Sequence, residues 1–212
     1  HRNVSQTFTE CMERLHSCGR LSDQFMEFVR CLPDLNDIVD RESDFGLSFF
    51  GLKTLINNKY LIRDLNDNVS ELPCYMLLRV AIGIHSSQTT HPSDSFDEIV
   101  QIYRELVNRR YTHATPTLFN AGTTNCQFAS CFLLSLNDDS VEGIYSTLAE
   151  CALISKHAGG IGLHVHNLRS TGSIIKSTGC KTDGLMPMLR VFNESSLLVK
   201  QAGKRPGSIA IY

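Results

Sequence analysis

The sequence holds no run of eighteen apolar residues, so nothing in it reads as a membrane-spanning helix. It contains no basic stretch followed by an apolar one, the pattern of a secretory signal, although a mature chain that had lost its signal would look the same. Its formal net charge is only −2. No basic field is therefore available, and neither nucleic acid nor a membrane is expected as a partner. No Cys-x-x-Cys pair occurs, which argues against a structural zinc site.

What is present is ordinary globular composition: 212 residues, 42% hydrophobic and 20% charged, enough to bury a core. Cys11, Cys18, Cys31, Cys74, Cys126, Cys131, Cys151 and Cys180 are scattered along a chain too long and too apolar to need a disulfide framework. Reduced thiols in a cytoplasmic protein are the expectation. The sequence opens at His1 without an initiator Met, and it stops within the β-rich run Ser208–Tyr212 that follows Pro206-Gly207. A fragment of a longer protein is expected.

Two regions with different habits follow one another. Between Ser5 and Arg30, Phe8, Met12, Leu15, Phe25, Phe28 and Val29 recur near helical spacing, with Gly19 as the break between two helices. Segments 44–63 and 72–85 also read as helical, and 86–95 as a Ser/Thr/Pro-rich surface loop. In segment 97–110, Ile99, Ile102, Tyr103, Leu106 and Val107 form one stripe. This half is a helical layer in which the sequence shows no chemistry. The second half alternates: a strand over 127–136, a helix over 140–158, a strand over 161–168, a polar loop over 169–184, a helix over 185–201 and a strand from Ile209. That order is the grammar of an α/β sheet with crossover helices.

Three groups of residues invite a chemical reading. Gly159-Gly160-Ile161-Gly162 follows a helix and precedes a strand, whereas a dinucleotide-binding loop needs strand, glycines, helix in that order. A helix C-cap with glycine at positive φ is expected, and bare backbone could also lie flat against a ligand. His157, His164 and His166 lie near Cys151, with His164 and His166 on one side of a strand. No spacing supplies a third ligand, so no metal site is expected. Cys131, between Ser130 and Phe132, would on its own read as a small buried hydrophobe.

Context changes the reading of Cys131. Thr115-Pro116-Thr117-Leu118-Phe119-Asn120-Ala121-Gly122 is followed by Ser130-Cys131-Phe132-Leu133-Leu134, Asp138-Asp139-Ser140, Ile144-Tyr145 and Cys151-Ala152-Leu153-Ile154-Ser155-Lys156. Then come Ala158-Gly159-Gly160-Ile161-Gly162, Arg169-Ser170-Thr171-Gly172-Ser173, Gly184-Leu185-Met186-Pro187-Met188-Leu189-Arg190-Val191 and Lys204-Arg205-Pro206-Gly207. In order and spacing these blocks resemble the large, catalytic subunit of class I ribonucleotide reductases across about a hundred residues. A thinner match covers Asp44-Phe45, Phe49–Leu55 and Arg79-Val80 with Gly83-Ile84-His85.

The resemblance implies an α/β fold: a mainly helical region over 1–110, then over 111–212 the first part of a ten-stranded α/β barrel with its effector-specificity site. It implies that Cys131 is one of two redox thiols that supply reducing equivalents to a ribonucleoside diphosphate and end as a disulfide. Thr115, Ser130, Gly159 and Gly160 match substrate-binding positions. Asp139, Ser140, Val141, Lys156, Arg169, Lys176 and Ser177 match the site of a specificity effector, a deoxynucleoside triphosphate or ATP. Gln201, Lys204 and Arg205 fall in the loop that relays effector identity to the substrate base. The implied partners are a second copy of the chain, a metal-containing small subunit that supplies the radical, and a thioredoxin- or glutaredoxin-type reductant. The chain itself is expected to bind no cofactor or metal.

Departures from the family pattern are local. Lys176-Ser177 stands where many relatives have small residues, the Gln201–Pro206 loop is one residue short of cellular eukaryotic members, and Thr115 replaces a more usual serine. The thiyl-radical cysteine and the partner of Cys131 are expected beyond Tyr212, which would leave this chain alone inactive. The competing expectation is a non-catalytic module that keeps the nucleotide-effector and dimer surface, or a degenerate paralogue.

Overall fold

The computed structural model describes residues 7–86, 95–157, 159–199 and 207–212. Most of the expected 86–95 loop, together with Gln201, Lys204 and Arg205, lies outside the described residues. The chain forms two compact units, His1–Phe128 and Ala129–Tyr212.

The first unit is helical. Helix α1 (Phe8–Ser17) opens at Thr7, whose hydroxyl accepts from the Glu10 N–H while the Glu10 carboxylate accepts from the Thr7 N–H. It ends where Gly19 takes φ +68°, a conformation that costs glycine little. At α2 (Asp23–Cys31) the cap is one-sided, the Ser22 hydroxyl accepting from the Phe25 N–H. Both helices are amphipathic: Phe8, Cys11, Met12 and Leu15 from one, and Phe25, Met26, Phe28 and Val29 from the other, are buried. They share a core with Cys74, Tyr75, Leu78, Ala81 and Ile82 of α4 (Pro73–Ser86). Burial of each large side chain there stabilises the unit by roughly 1.5–3 kcal/mol. Apolar residues surround α4 on nearly every side, so it is the central helix of this unit. Helix α3 (Phe49–Asn57) lies before it, and α5 (Phe96–Val107) follows with Ile99, Tyr103 and Leu106 buried as the stripe requires.

Segment 115–120, which carries no helical periodicity of its own, forms the short helix α6 (Thr115–Asn120). Leu118 and Ala121 pack with Val80 and Leu106, so residues 111–128 belong to the helical unit rather than to the sheet that follows. The approach is close: a Cβ on Gly83 would lie 2.6 Å from the Gly122 nitrogen.

The second unit is built on three parallel strands, β1 (Cys131–Ser135), β2 (Gly160–His164) and β3 (Ile209–Ile211), in that spatial order. Helix α7 (Val141–Lys156) connects β1 to β2, and α8 (Leu185–Leu198) precedes β3. Both helices cover the same face, where Ile161, Leu163, Cys151, Met188 and Phe192 are buried with Leu134, Ile209 and Ile211 around them. The strands are shorter than hydrophobicity suggested. β2 ends at His164 because Asn167 turns to donate to the Leu136 carbonyl and Leu168 bonds back to Val165.

Candidate active face and effector corner

Alternation along β1 puts Phe132 and Leu134 toward the helices and Cys131, Leu133 and Ser135 on the opposite face, where all three are exposed. The register pairs Cys131 with Gly160 and Leu133 with Gly162. At Gly162 a Cβ would come within 2.8 Å of Leu133 Cδ2, the free end of an exposed side chain that could turn aside. At Gly160 a Cβ would stand 4.0 Å from the Cys131 sulfur, so its absence leaves bare backbone beside the thiol. The Gly160 N–H donates to the Ser130 carbonyl at 2.7 Å, and the Ser130 hydroxyl lies 3.6 Å from Cys131 Sγ. Ser130, Cys131 and Gly160 are thus adjacent on an uncovered face. Cys131 is an exposed thiol and not a buried hydrophobe.

Gly159 takes part in closing helix α7: its N–H bonds back to the Ile154 carbonyl at 3.1 Å, as the His157 N–H also does, although no positive φ is recorded for it. Close packing adds a second reason for the glycine: a Cβ would fall 2.6 Å from Ile154 Cγ2 and 2.7 Å from the Phe132 ring. Gly159 therefore points toward the helix-covered side, while Gly160 borders the open one.

At the other end of β1, Asp139, Ser140, Val141 and Arg169 come together. Arg169 donates from Nε to Asp139 Oδ2 at 2.5 Å and from Nη2 to the Asp139 carbonyl at 2.8 Å. Its backbone N–H also reaches Oδ2 at 3.2 Å. Ser140 caps α7, its hydroxyl accepting from the Gly143 N–H at 3.0 Å. Val141 is 67% exposed. Gly143, which sequence reasoning did not single out, is needed here because a Cβ would sit 2.6 Å from the Asp138 carbonyl oxygen.

Lys156 does not join this corner within one copy. It is the last residue of the 16-residue α7, roughly 23 Å along the helix from Val141. Loop 169–183 is a folded hairpin rather than an irregular segment: Ile175 donates to the Cys180 carbonyl, Thr182 to that of Ser173 and Gly172 to that of Thr182. Lys176 and Ser177 are exposed at its tip.

Thr115 belongs to the first unit and is half-buried at the start of α6, its hydroxyl 3.2 Å from that of Tyr60. The histidines near β2 form a ring stack. His164 and His166 have centroids 4.1 Å apart and Nδ1 atoms 2.9 Å apart, and Tyr212 stacks on His164 at 5.1 Å. Among the described residues no three His, Cys, Asp or Glu side chains gather as metal ligands. Sequence reasoning also missed Glu71 and Arg79, fully buried and bonded at 2.6 and 3.1 Å. Arg79 stands in the thinner family match but Glu71 does not, and an acid and a base eight residues apart around a helix start are too common a pattern to mark a pair.

Parallel strands joined through helices that cover one face are the repeating unit of an α/β barrel. The comparisons agree: residues 45–126 match the all-alpha domain of ribonucleotide reductase and residues 129–212 match its barrel domain. The chain belongs to the ribonucleotide reductase large-subunit family. Over 223 aligned residues it is 44% identical to the ribonucleoside-diphosphate reductase large chain 2 of Saccharomyces cerevisiae, covering 100% of this chain and 25% of that protein. It is 44% identical to the large subunit of Monkeypox virus, of which it covers 28%, and 43% identical to that of Arabidopsis thaliana, of which it covers 26%. The chain thus spans about a quarter of the length of these curated relatives. Among the described residues no helix is long and apolar enough to cross a membrane.

Proposed function

We propose that this chain is part of a catalytic subunit that reduces ribonucleoside diphosphates to deoxyribonucleoside diphosphates, with Cys131 as one of its two redox thiols. The observation that carries the reading is the exposed Cys131 thiol on the uncovered sheet face, beside the bare backbone of Gly160. The overall reaction replaces the 2′ carbon–oxygen bond by carbon–hydrogen. The hydroxyl leaves as water, and two thiols are oxidised to one disulfide. A separate metal-containing small subunit supplies the radical that initiates this chemistry, and a thioredoxin- or glutaredoxin-type protein reduces the disulfide again. The second thiol comes from outside these residues. Thr115 and Ser130 serve as substrate contacts through their hydroxyls, which suit diphosphate and ribose oxygens, and Gly160 offers bare backbone against which the substrate can lie. In the full-length protein, Cys131→Ser should abolish multiple turnovers with a dithiol reductant. Normal steady-state reduction would overturn the assignment.

The corner of Asp139, Ser140, Val141 and Arg169 serves a nucleoside triphosphate effector, with Asp139 toward the ribose and Arg169 toward the phosphates. Lys156 completes this site from a second copy. Two α7 helices packed antiparallel about a two-fold axis bring the C-terminal end of one to the N-terminal end of the other. The exposed stripe Val141, Tyr145 and Leu153 on α7, with Val191, Leu197 and Leu198 on α8, suits that contact. Ile144, Leu148, Ile154 and Met188 on the same helices pack against the sheet instead. Arg169→Ala should weaken effector binding by calorimetry and leave effector-free substrate binding in place. A protein that sediments as a monomer with saturating effector would remove the shared site. The mutual Asp139–Arg169 pair also fits a purely structural ion pair, and unchanged effector affinity in Arg169→Ala would select that reading.

A further inference from the structure

We propose that Tyr60 is a positioning residue for the Thr115 hydroxyl, an inference that rests on reading Thr115 as a substrate contact. The phenol of Tyr60 and the hydroxyl of Thr115 are 3.2 Å apart. A threonine hydroxyl has one proton and two acceptor sites. Either hydroxyl could donate across this contact; with the donation assigned to the Tyr60 O–H, as proposed, the threonine proton turns away from the phenol and toward an incoming anionic oxygen.

The placement of Tyr60 is built into the backbone. Helix α3 ends with Lys59 in the left-handed region at φ 57°, while the Lys59 N–H bonds to the Ile56 carbonyl and the Tyr60 N–H to that of Leu55. These are the paired bonds of a Schellman cap, which usually employs glycine at the left-handed position. A lysine there is held in a conformation that L side chains rarely adopt, and the cap fixes where the next residue, Tyr60, emerges. The ring then packs on Phe119 of α6 with centroids 4.5 Å apart.

Both sides of the contact hang on one buried ion pair. Glu71 Oε2 accepts from the N–H of Ile62, two residues beyond Tyr60, at 3.0 Å. Arg79, held by the same carboxylate, donates to the carbonyl of Ala121 at 2.6 Å and to that of Leu118 at 3.3 Å, which pins the segment carrying Thr115. With both backbones anchored, the two side chains reach each other from fixed starting points.

The test uses the full-length protein with its small subunit and a dithiol reductant, with cytidine diphosphate as the varied substrate. Tyr60→Phe keeps the ring and removes the hydroxyl. It should raise KM about three- to tenfold with kcat within about twofold and the thermal midpoint nearly unchanged. Thr115→Ala should raise KM similarly, and adding Tyr60→Phe to it should change nothing further. Thr115→Ser, which keeps the hydroxyl, should remain sensitive to Tyr60→Phe, whereas Thr115→Ala should not. If Thr115→Ala raises KM and Tyr60→Phe does not, the positioning role is overturned while the substrate reading stands. If neither variant moves KM, the substrate reading of Thr115 itself falls. Additive effects, or a loss of stability and kcat together, would assign Tyr60 to packing and likewise overturn the proposal.

Discussion

The two units handle polar groups in opposite ways. In the helical unit the strongest polar interaction is internal: Glu71 and Arg79 are fully buried, satisfied by each other and by backbone groups of two further segments. In the sheet unit the comparable groups are on display, with Cys131 on the open face and Arg169 only partly covered. The difference teaches where chemistry can be sought. A buried, saturated pair organises backbone, whereas an exposed thiol beside a bare glycine is placed to meet something from outside.

The sharpest way to break this contrast is Glu71→Ala. It leaves a buried guanidinium without its carboxylate and frees the Ile62 N–H, so it should destabilise the protein by about 3–5 kcal/mol. Denaturant unfolding of the full-length protein measures this directly. A loss below about 1 kcal/mol would mean that water reaches Arg79 and that the pair organises nothing.

Gly159→Ala probes the packed side of the sheet. The added methyl would meet Ile154 and Phe132 below 3 Å, and such overpacking costs roughly 1–3 kcal/mol. Gly160→Ala, whose new methyl would stand 3.4 Å from the Ser130 carbonyl oxygen and 4.0 Å from the Cys131 sulfur, should cost less stability. It should reduce activity instead by filling the space beside the thiol. Equal stability losses for the two variants would erase the distinction between the packed and open faces.

Thiol titration separates the two sides further. Burial, with a smaller contribution from the nearby Glu150 charge, raises the Cys151 thiol from its ordinary 9.0 to about 11. A folded value above the unfolded one means that folding favours the neutral thiol. The resulting stability is complete below about pH 9 and is lost as the pH rises toward 11. Cys151→Ala should therefore lessen the alkaline fall in stability over that window. A maleimide reagent at neutral pH should label Cys131 and spare Cys151.

The smallest effects belong to the hairpin tip. Lys176→Ala touches no described hydrogen bond or ion pair, so its stability change should stay within about 0.5 kcal/mol. A larger loss in a thermal melt would place the tip against another part of the assembled protein.

Periodicity and capping are local properties, and from them the amino-acid sequence by itself determined α1, α2, α4 and α5, the alternation of the second half, and the blocks from Thr115 to Gly207 that identify the family. Spatial adjacency is different, because it depends on how distant segments pack. Only the tertiary structure decided that α6 joins the helical unit, since a six-residue helix has too few turns to show a stripe. Packing also assigned Gly159 to a tight contact, turned Cys131 to the bare face and closed Glu71 on Arg79. It divided one motif set as well, leaving Asp139 with Arg169 and carrying Lys156 to the far end of α7. Sixteen helical residues are compact as text and span more than 20 Å as a rigid rod.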